Sequence, residues 1–266
     1  GTMYAIDEAC LSSKVYLGHV DSLIDRCALV FVPRIASFGH REILCTKFMA
    51  LYDIVENSFR DQGIKLLDCN IDLRQGKREI AAFLAMGKKL GFKRRQALYA
   101  YMVAKQADQI AHSEAVIAQN QLFDKPGIKI LVMGHSYNVF DALIGKPVTD
   151  YLTANGIIPI IADTVDRRLA LEAANGITET LPWVYNRELV GALQLYRDKV
   201  DGVILLSAFP CGPDSLVNEI VLRRVKDLPM LNLLMDSQDG MAGIETRLES
   251  FLDIIQFRKE AHYSEA

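Results

Sequence analysis

No stretch of about 18 consecutive apolar residues occurs in the 266-residue sequence, so no membrane-spanning helix is expected. Its five cysteines are scattered and none stands in a CxxC pair. That spacing gives no disulfide framework, and the expectation is reduced thiols in a cytoplasm. The opening residues, GTMYAIDEACLSSK, show no basic segment followed by an apolar one, so a secretory signal is not expected either. Neither sign of charge dominates: the formal net charge is -3, which gives no general attraction to nucleic acid or acidic membranes. The phosphate loop GxxxxGK[ST], the fingerprint GxGxxG, the zinc motif HExxH and the elbow GxSxG are all missing. A phosphate-loop NTPase and a serine hydrolase are therefore unsupported.

What is present is ample core material. Half of the residues are hydrophobic, and a chain of this size is expected to form two modest domains. Residues 4–24 carry helical spacing through Leu11, Val15, Leu23 and Ile24. Residues 28–32 read as a strand closed by Pro33, and 34–45 as a loop holding Arg34, His40 and Arg41. A helix-like stretch, CTKFMALYDIVENSF, and a strand over 64–68 complete a first α/β unit over residues 1–75. Residues 76–124 read as a helical segment, without proline from Lys77 to Phe123 and with a break at Gly91. The cations Lys88, Lys89, Lys93, Arg94 and Arg95 lie there and read first as a solvated helix face, with an acidic partner or phosphate group as the alternative.

Residues 125–266 form the second unit. Four apolar runs, IKILVM, IIPII, VILLS and MLNLLM, alternate with helical stretches, the pattern of a parallel sheet covered on both faces. The stretch 201–222, DGVILLSAFPCGPDSLVNEIVL, is the focus of that unit. A buried strand runs directly into Phe209, Pro210, Cys211, Gly212 and Pro213, and Asp214 or Ser215 is expected to cap a helix starting at Leu216. Cys211 is thus expected at the carboxyl end of a strand, where open α/β sheets bind ligands, or else as an inert thiol in a tight turn. Gly212 leaves room for a ligand to approach the backbone. The segments GHSYN after the first run, Asp163 after the second, and Asp236, Ser237 and Gln238 after the last should gather along the same edge. His135 reads either as a proton donor or ligand contact, or as a satisfied structural histidine.

Among the cysteines, Cys10, Cys45 and Cys211 each lie beside a turn or helix start with polar neighbours. Cys27 and Cys69 flank apolar strands and read as structural. Three thiolates from distant segments suit an iron–sulfur cluster with one iron left open, although spacing by itself does not show one.

Several segments together resemble the 2-hydroxyacyl-CoA dehydratase family, in its activase-related (CoA-substrate-specific enzyme activase-related) branch. They are DEACLSSKVYLGHV, FVPRI followed by CTKFMALYD, IDLR, GHSYNVFD, RELVGA, FPCGPDSLVNEI and GIETRLESFLD. The resemblance implies two Rossmann-like (flavodoxin-like) parallel-sheet α/β units joined by a long helical segment. The first unit would lack the strand and helix with which the family pattern opens. It implies a [4Fe-4S] cluster on Cys10, Cys45 and Cys211, with His135 and Ser136 in contact with substrate or a cluster sulfur. Gly212 would supply a backbone N–H, and Asp236 and Gln238 would line the cleft rim. It also implies an acyl-CoA substrate, an ATP-dependent activator or electron-donor protein, and pairing as a homo- or heterodimer. The expected activity is electron transfer or reductive acyl-CoA dehydration. The alternatives are a non-catalytic cluster-carrying subunit and a cluster-free small-molecule binder. The chain departs from the branch pattern at Ser12–Ser13, Thr46 and Ser136, where the pattern has proline, and at MDSQDGMAG, where the branch has a histidine and a glutamate.

Overall fold

The computed structural model describes residues 1–237 and 240–264, without the side chains of Met241, His262, Tyr263 and Ser264. The chain divides into two compact units, Gly1–Ser113 with Pro182–Val184, and Glu114–Leu181 with Tyr185–Ala266.

In the first unit, β1 (Val30–Gly39) lies between β2 (Glu42–Ile43) and β3 (Leu66–Asp72). β1 and β3 run parallel, with Val30 opposite Leu66 and Ile35 opposite Ile71; β2 is antiparallel to the end of β1. The expected loop over 34–45 is therefore mostly strand. The strand continues past Pro33 because β2 pairs only with Ser37 and Gly39, so at Pro33 one side of β1 carries no ladder and the missing N–H costs nothing. Alternate side chains face opposite ways. Val30 and Val32 pack with Leu17 and Val20 of α1 (Leu11–Asp21) and with Val55 and Phe59 at α3 (Leu51–Ser58). Cys69 and Ile71 pack on the other side with Ala82 of α4 (Glu79–Lys89). The short helix α2 (Thr46–Met49) precedes α3, and α5 (Arg94–Asn120) follows α4. The expected break is real: Gly91 takes φ +82°, a conformation that costs glycine little.

The second unit holds the four expected strands, β4 (Lys129–Met133), β5 (Ile158–Ile161), β6 (Gly202–Ala208) and β7 (Met230–Met235). All are parallel, in the order β5-β4-β6-β7. Every residue of β6 is buried, as a central strand covered on both faces requires. Leu131, Ile160, Val203 and Leu205 pack against α8 (Arg167–Ala173), α9 (Val184–Tyr196) and α10 (Gly212–Arg224) through Ala170, Val190, Leu193, Val217 and Val221. After β4 come the single-turn α6 (Ser136–Val139) and then α7 (Lys146–Ala154), which packs on β5. The closing helix α11 (Met241–Ser264) packs on β7 and α7. Gly202 makes room for it, since an added Cβ would come within 2.6 Å of Ile255 and 3.0 Å of Phe251.

The outer edge of β5 is closed by a side chain. The Gln119 amide donates to the carbonyls of Ile161 (3.0 Å) and Thr164 (2.6 Å) and accepts from the Ile161 N–H (2.8 Å), pairing with the edge much as another strand would. Gln119→Ala should therefore cost about 1 kcal/mol or more by leaving part-buried backbone groups unpaired. The exposed Gln121→Ala should stay within about 0.5 kcal/mol. Urea midpoints of the two variants check this.

Candidate functional site

In the strand order β5-β4-β6-β7, the connections leaving β4 and β6 turn to opposite faces of the sheet. That topological switch point is where a crevice opens at the carboxyl edge of a doubly wound sheet. The turn after β4 presses against β6 at Gly134, where an added Cβ would come within 3.0 Å of the Leu206 carbonyl and 3.1 Å of a Val139 methyl. His135 follows as the residue capping α6, its carbonyl accepting from the N–H groups of Asn138 (2.8 Å) and Val139 (2.9 Å). After β6, Cys211 occupies the same kind of position before α10, its carbonyl accepting from the Ser215 N–H at 3.1 Å. The helix thus begins at Gly212 rather than at Leu216. Pro213 sits in the first turn, where its missing N–H is not needed, and so does not delay the start.

Asp214 lies in that first turn and is the hub of the site. His135 Nε2 is 3.0 Å from Asp214 Oδ1, and both side chains are only 6% exposed. Asn186 Nδ2 donates to the same oxygen at 2.8 Å, and the Cys211 thiol also hydrogen-bonds to this carboxylate. The imidazole is held flat by Tyr137, stacked at 5.1 Å and 13°, with Tyr185 tilted against it at 6.3 Å.

Burial opposes charge on His135. The Asp214 carboxylate, by charge and by hydrogen bond, outweighs that with help from Asp163 and Glu188, and the imidazole pKa is raised. Burial likewise opposes ionisation of Asp214, but His135, Asn186 and Cys211 together hold its pKa below the usual carboxylate range. The two directions agree, since each partner favours the charged form of the other. Tyr185 is pushed up to about 12 by burial, then by the charges of Glu188 and Asp163, so at neutral pH it is a neutral O–H. Glu188 is itself held by Arg167 Nε at 2.6 Å.

The other expected residues fall as follows. Ser136 donates its backbone N–H to Asp163 Oδ2 at 3.0 Å, which joins the turn after β4 to that after β5. Among the described residues, a Cβ added at Gly212 would meet nothing within 4 Å, so neither their packing nor the backbone angle requires glycine there. Asp236 follows β7 and accepts from the Ser237 N–H at 2.6 Å, within its own turn. Gln238 lies outside the described residues. Cys10 and Cys45 belong to the first unit, each half-buried and each at the cap of a helix, α1 and α2. Cys27 is exposed and Cys69 buried, with burial and then Asp68 and Glu79 pushing the Cys69 thiol up to about 11. None of the five is in a disulfide. Among the described residues no group of three or more His, Cys, Asp or Glu side chains is assembled as a metal site.

Asn186, Tyr185 and the Arg167–Glu188 pair are not visible as site residues in the sequence, and Asp214 reads there only as a helix cap. The signal for Asp214 is its spacing: three residues after Cys211, it lies one helical turn from the thiol.

Residues 1–165 match the family described as the CoA enzyme activase uncharacterised domain (DUF2229). The chain belongs to this family. The matched segment carries Cys10, Cys45, His135, Ser136 and Asp163 and ends before Cys211. No curated protein and no solved structure matched the chain. In this CoA-enzyme-activase-related chain, the His135–Asp214 pair has a pH signature. The raised histidine contributes stability that is complete below its ordinary pKa of about 6.5 and is lost as pH rises through its folded value. The lowered Asp214 contributes stability present above about 3.9 and lost as pH falls through its folded value. Asp214→Asn should therefore lower the melting temperature most between about pH 4 and 6.5, and drop the His135 pKa below its ordinary value. Thermal melts across pH and the imidazole proton shifts check both.

Proposed function

We propose that this chain is an iron–sulfur component of reductive acyl-CoA chemistry, resembling a 2-hydroxyacyl-CoA dehydratase subunit. It would hold a [4Fe-4S] cluster through Cys10, Cys45 and Cys211. One observation carries the reading. The three cysteines singled out by the resemblance share a local geometry that the other two lack. Each precedes a helical turn with extended backbone (φ/ψ -62/152, -66/159 and -79/109). Each is half-buried, and each closes that turn with its carbonyl while the side chain caps nothing. A thiol so placed stands at the start of a helical turn rather than within a strand, a position from which it can serve as a ligand. The donor set fits the cluster chemically, being three reduced thiols with one iron position left open. The family description supports a role related to CoA-dependent enzyme activation.

When bound, such a cluster supplies low-potential electrons and an open iron acting as a Lewis acid. The chain's own residues do the rest. The thiol of Cys211 is steered by Asp214, which is in turn fixed by His135 and Asn186. By the resemblance, His135 and Ser136 would contact the substrate or a cluster sulfur, and the Gly212 N–H would face a sulfur or phosphate oxygen. An ATP-dependent activator or another electron donor would be the redox partner, and an acyl-CoA the substrate. The rim sequence MDSQDGMAG favours a second reading, in which the chain carries the cluster for a catalytic partner.

After anaerobic purification the protein should contain about four irons and four acid-labile sulfides, with a visible band that bleaches under dithionite. Ala at Cys10, Cys45 or Cys211 should abolish the iron without unfolding the chain, whereas Cys27→Ala should leave it unchanged. Absence of iron after anaerobic reconstitution would overturn the assignment. Turnover of a 2-hydroxyacyl-CoA with reductant separates the catalytic reading from the carrier one.

A further inference from the structure

From residue 80 to residue 107 the chain contains no aspartate or glutamate but six lysines and arginines, in a protein whose net charge is -3. Five of them, Lys88, Lys89, Lys93, Arg94 and Arg95, fall within eight residues at the corner between α4 and α5. Lys89 pairs with Asp68 and Lys105 with Glu79. Among the described residues, Lys88, Lys93, Arg94 and Arg95 have no acidic partner.

The corner is closed by local contacts. The Phe92 N–H donates to the Gly87 carbonyl (2.9 Å) and the Gly91 N–H to Lys88 (3.0 Å), the two bonds of a Schellman stop. Gly87 lets the two helices touch, since an added Cβ would come within 2.5 Å of the Ala97 methyl. Phe83 packs on Tyr101 at 5.3 Å, and Lys105 bonds Glu79 at 2.8 Å across the hairpin. On this frame Leu90, Phe92, Tyr99 and Met102 are exposed, Phe92 by 55% and Tyr99 by 72%. Exposed aromatic, methionine and arginine side chains gathered at one corner match the residue types enriched in protein-binding hot spots.

We propose that the α4–α5 corner is a docking surface for an acidic face of a partner protein. The cations steer and align the partner, and Phe92 and Tyr99 supply the apolar anchor. The proposal is independent of the cluster, and its test uses cluster-free protein. The probe is a labelled peptide rich in Asp and Glu with interspersed Phe and Leu, followed by fluorescence anisotropy at low and high salt. Binding should be salt-sensitive and weaken by about tenfold or more in Lys88→Glu/Arg94→Glu/Arg95→Glu, and severalfold in Phe92→Ala. Reversing the dispersed Lys65, Lys125 and Lys226 to Glu should change it little. The neutral triple variant with Gln, checked by thermal melt, guards against misfolding and should lie between the two. No binding at low salt, equal loss in both charge-reversal sets, or tighter binding to RNA or to anionic vesicles than to the peptide would each overturn the proposal.

Discussion

A carboxylate taken out of water costs several kcal/mol unless it is matched, and Asp214 is 94% buried by its side chain. It is matched three ways, by the imidazole of His135, the amide of Asn186 and the thiol of Cys211. The pair need not add much net stability, because two desolvated ions roughly offset their mutual attraction. What it does is fix position. A carboxylate with three partners from three separate chain segments holds the connections after β4 and β6 and the start of α9 in one arrangement.

That arrangement needs a sheet that delivers the partners to one place. The order β5-β4-β6-β7 sets β4 and β6 side by side with their connections on opposite faces, so His135 and Cys211 emerge next to each other. Close approaches at Gly134 and Gly202 keep the layers tight enough for a 3.0 Å hydrogen bond to be held. Each requires the absence of a Cβ rather than an unusual backbone angle. Gly212 differs, since among the described residues nothing fills the space beside it. Internal packing among those residues does not require glycine there.

The charged corner of the first unit and the buried charge pair of the second obey opposite electrostatic rules. At the corner, like charges are gathered in high dielectric, where mutual repulsion is small and a complementary surface is attracted across several ångströms of water. At Asp214, opposite charges are brought together in low dielectric, where misplacing one partner is expensive. One is suited to finding a partner and the other to holding geometry.

Local pattern was enough to place the four strands of the second unit and the break at Gly91. Each depends on near neighbours: a β-rich apolar run, a left-handed glycine. Local pattern misjudged β1, where Pro33 reads as a terminator; only the pairing of β2, which ends at Ser37, shows that the strand has an unladdered side there. It also started α10 too late, because a proline in a first turn looks the same in sequence as one that blocks a helix. The sequence by itself determined the α/β class and the candidate thiols, since these follow from periodicity and residue chemistry within a few positions. The tertiary structure alone decided that Asp214 is the hub. Its partners stand 79 and 28 residues away, and no local rule can state which distant donors will meet a buried carboxylate.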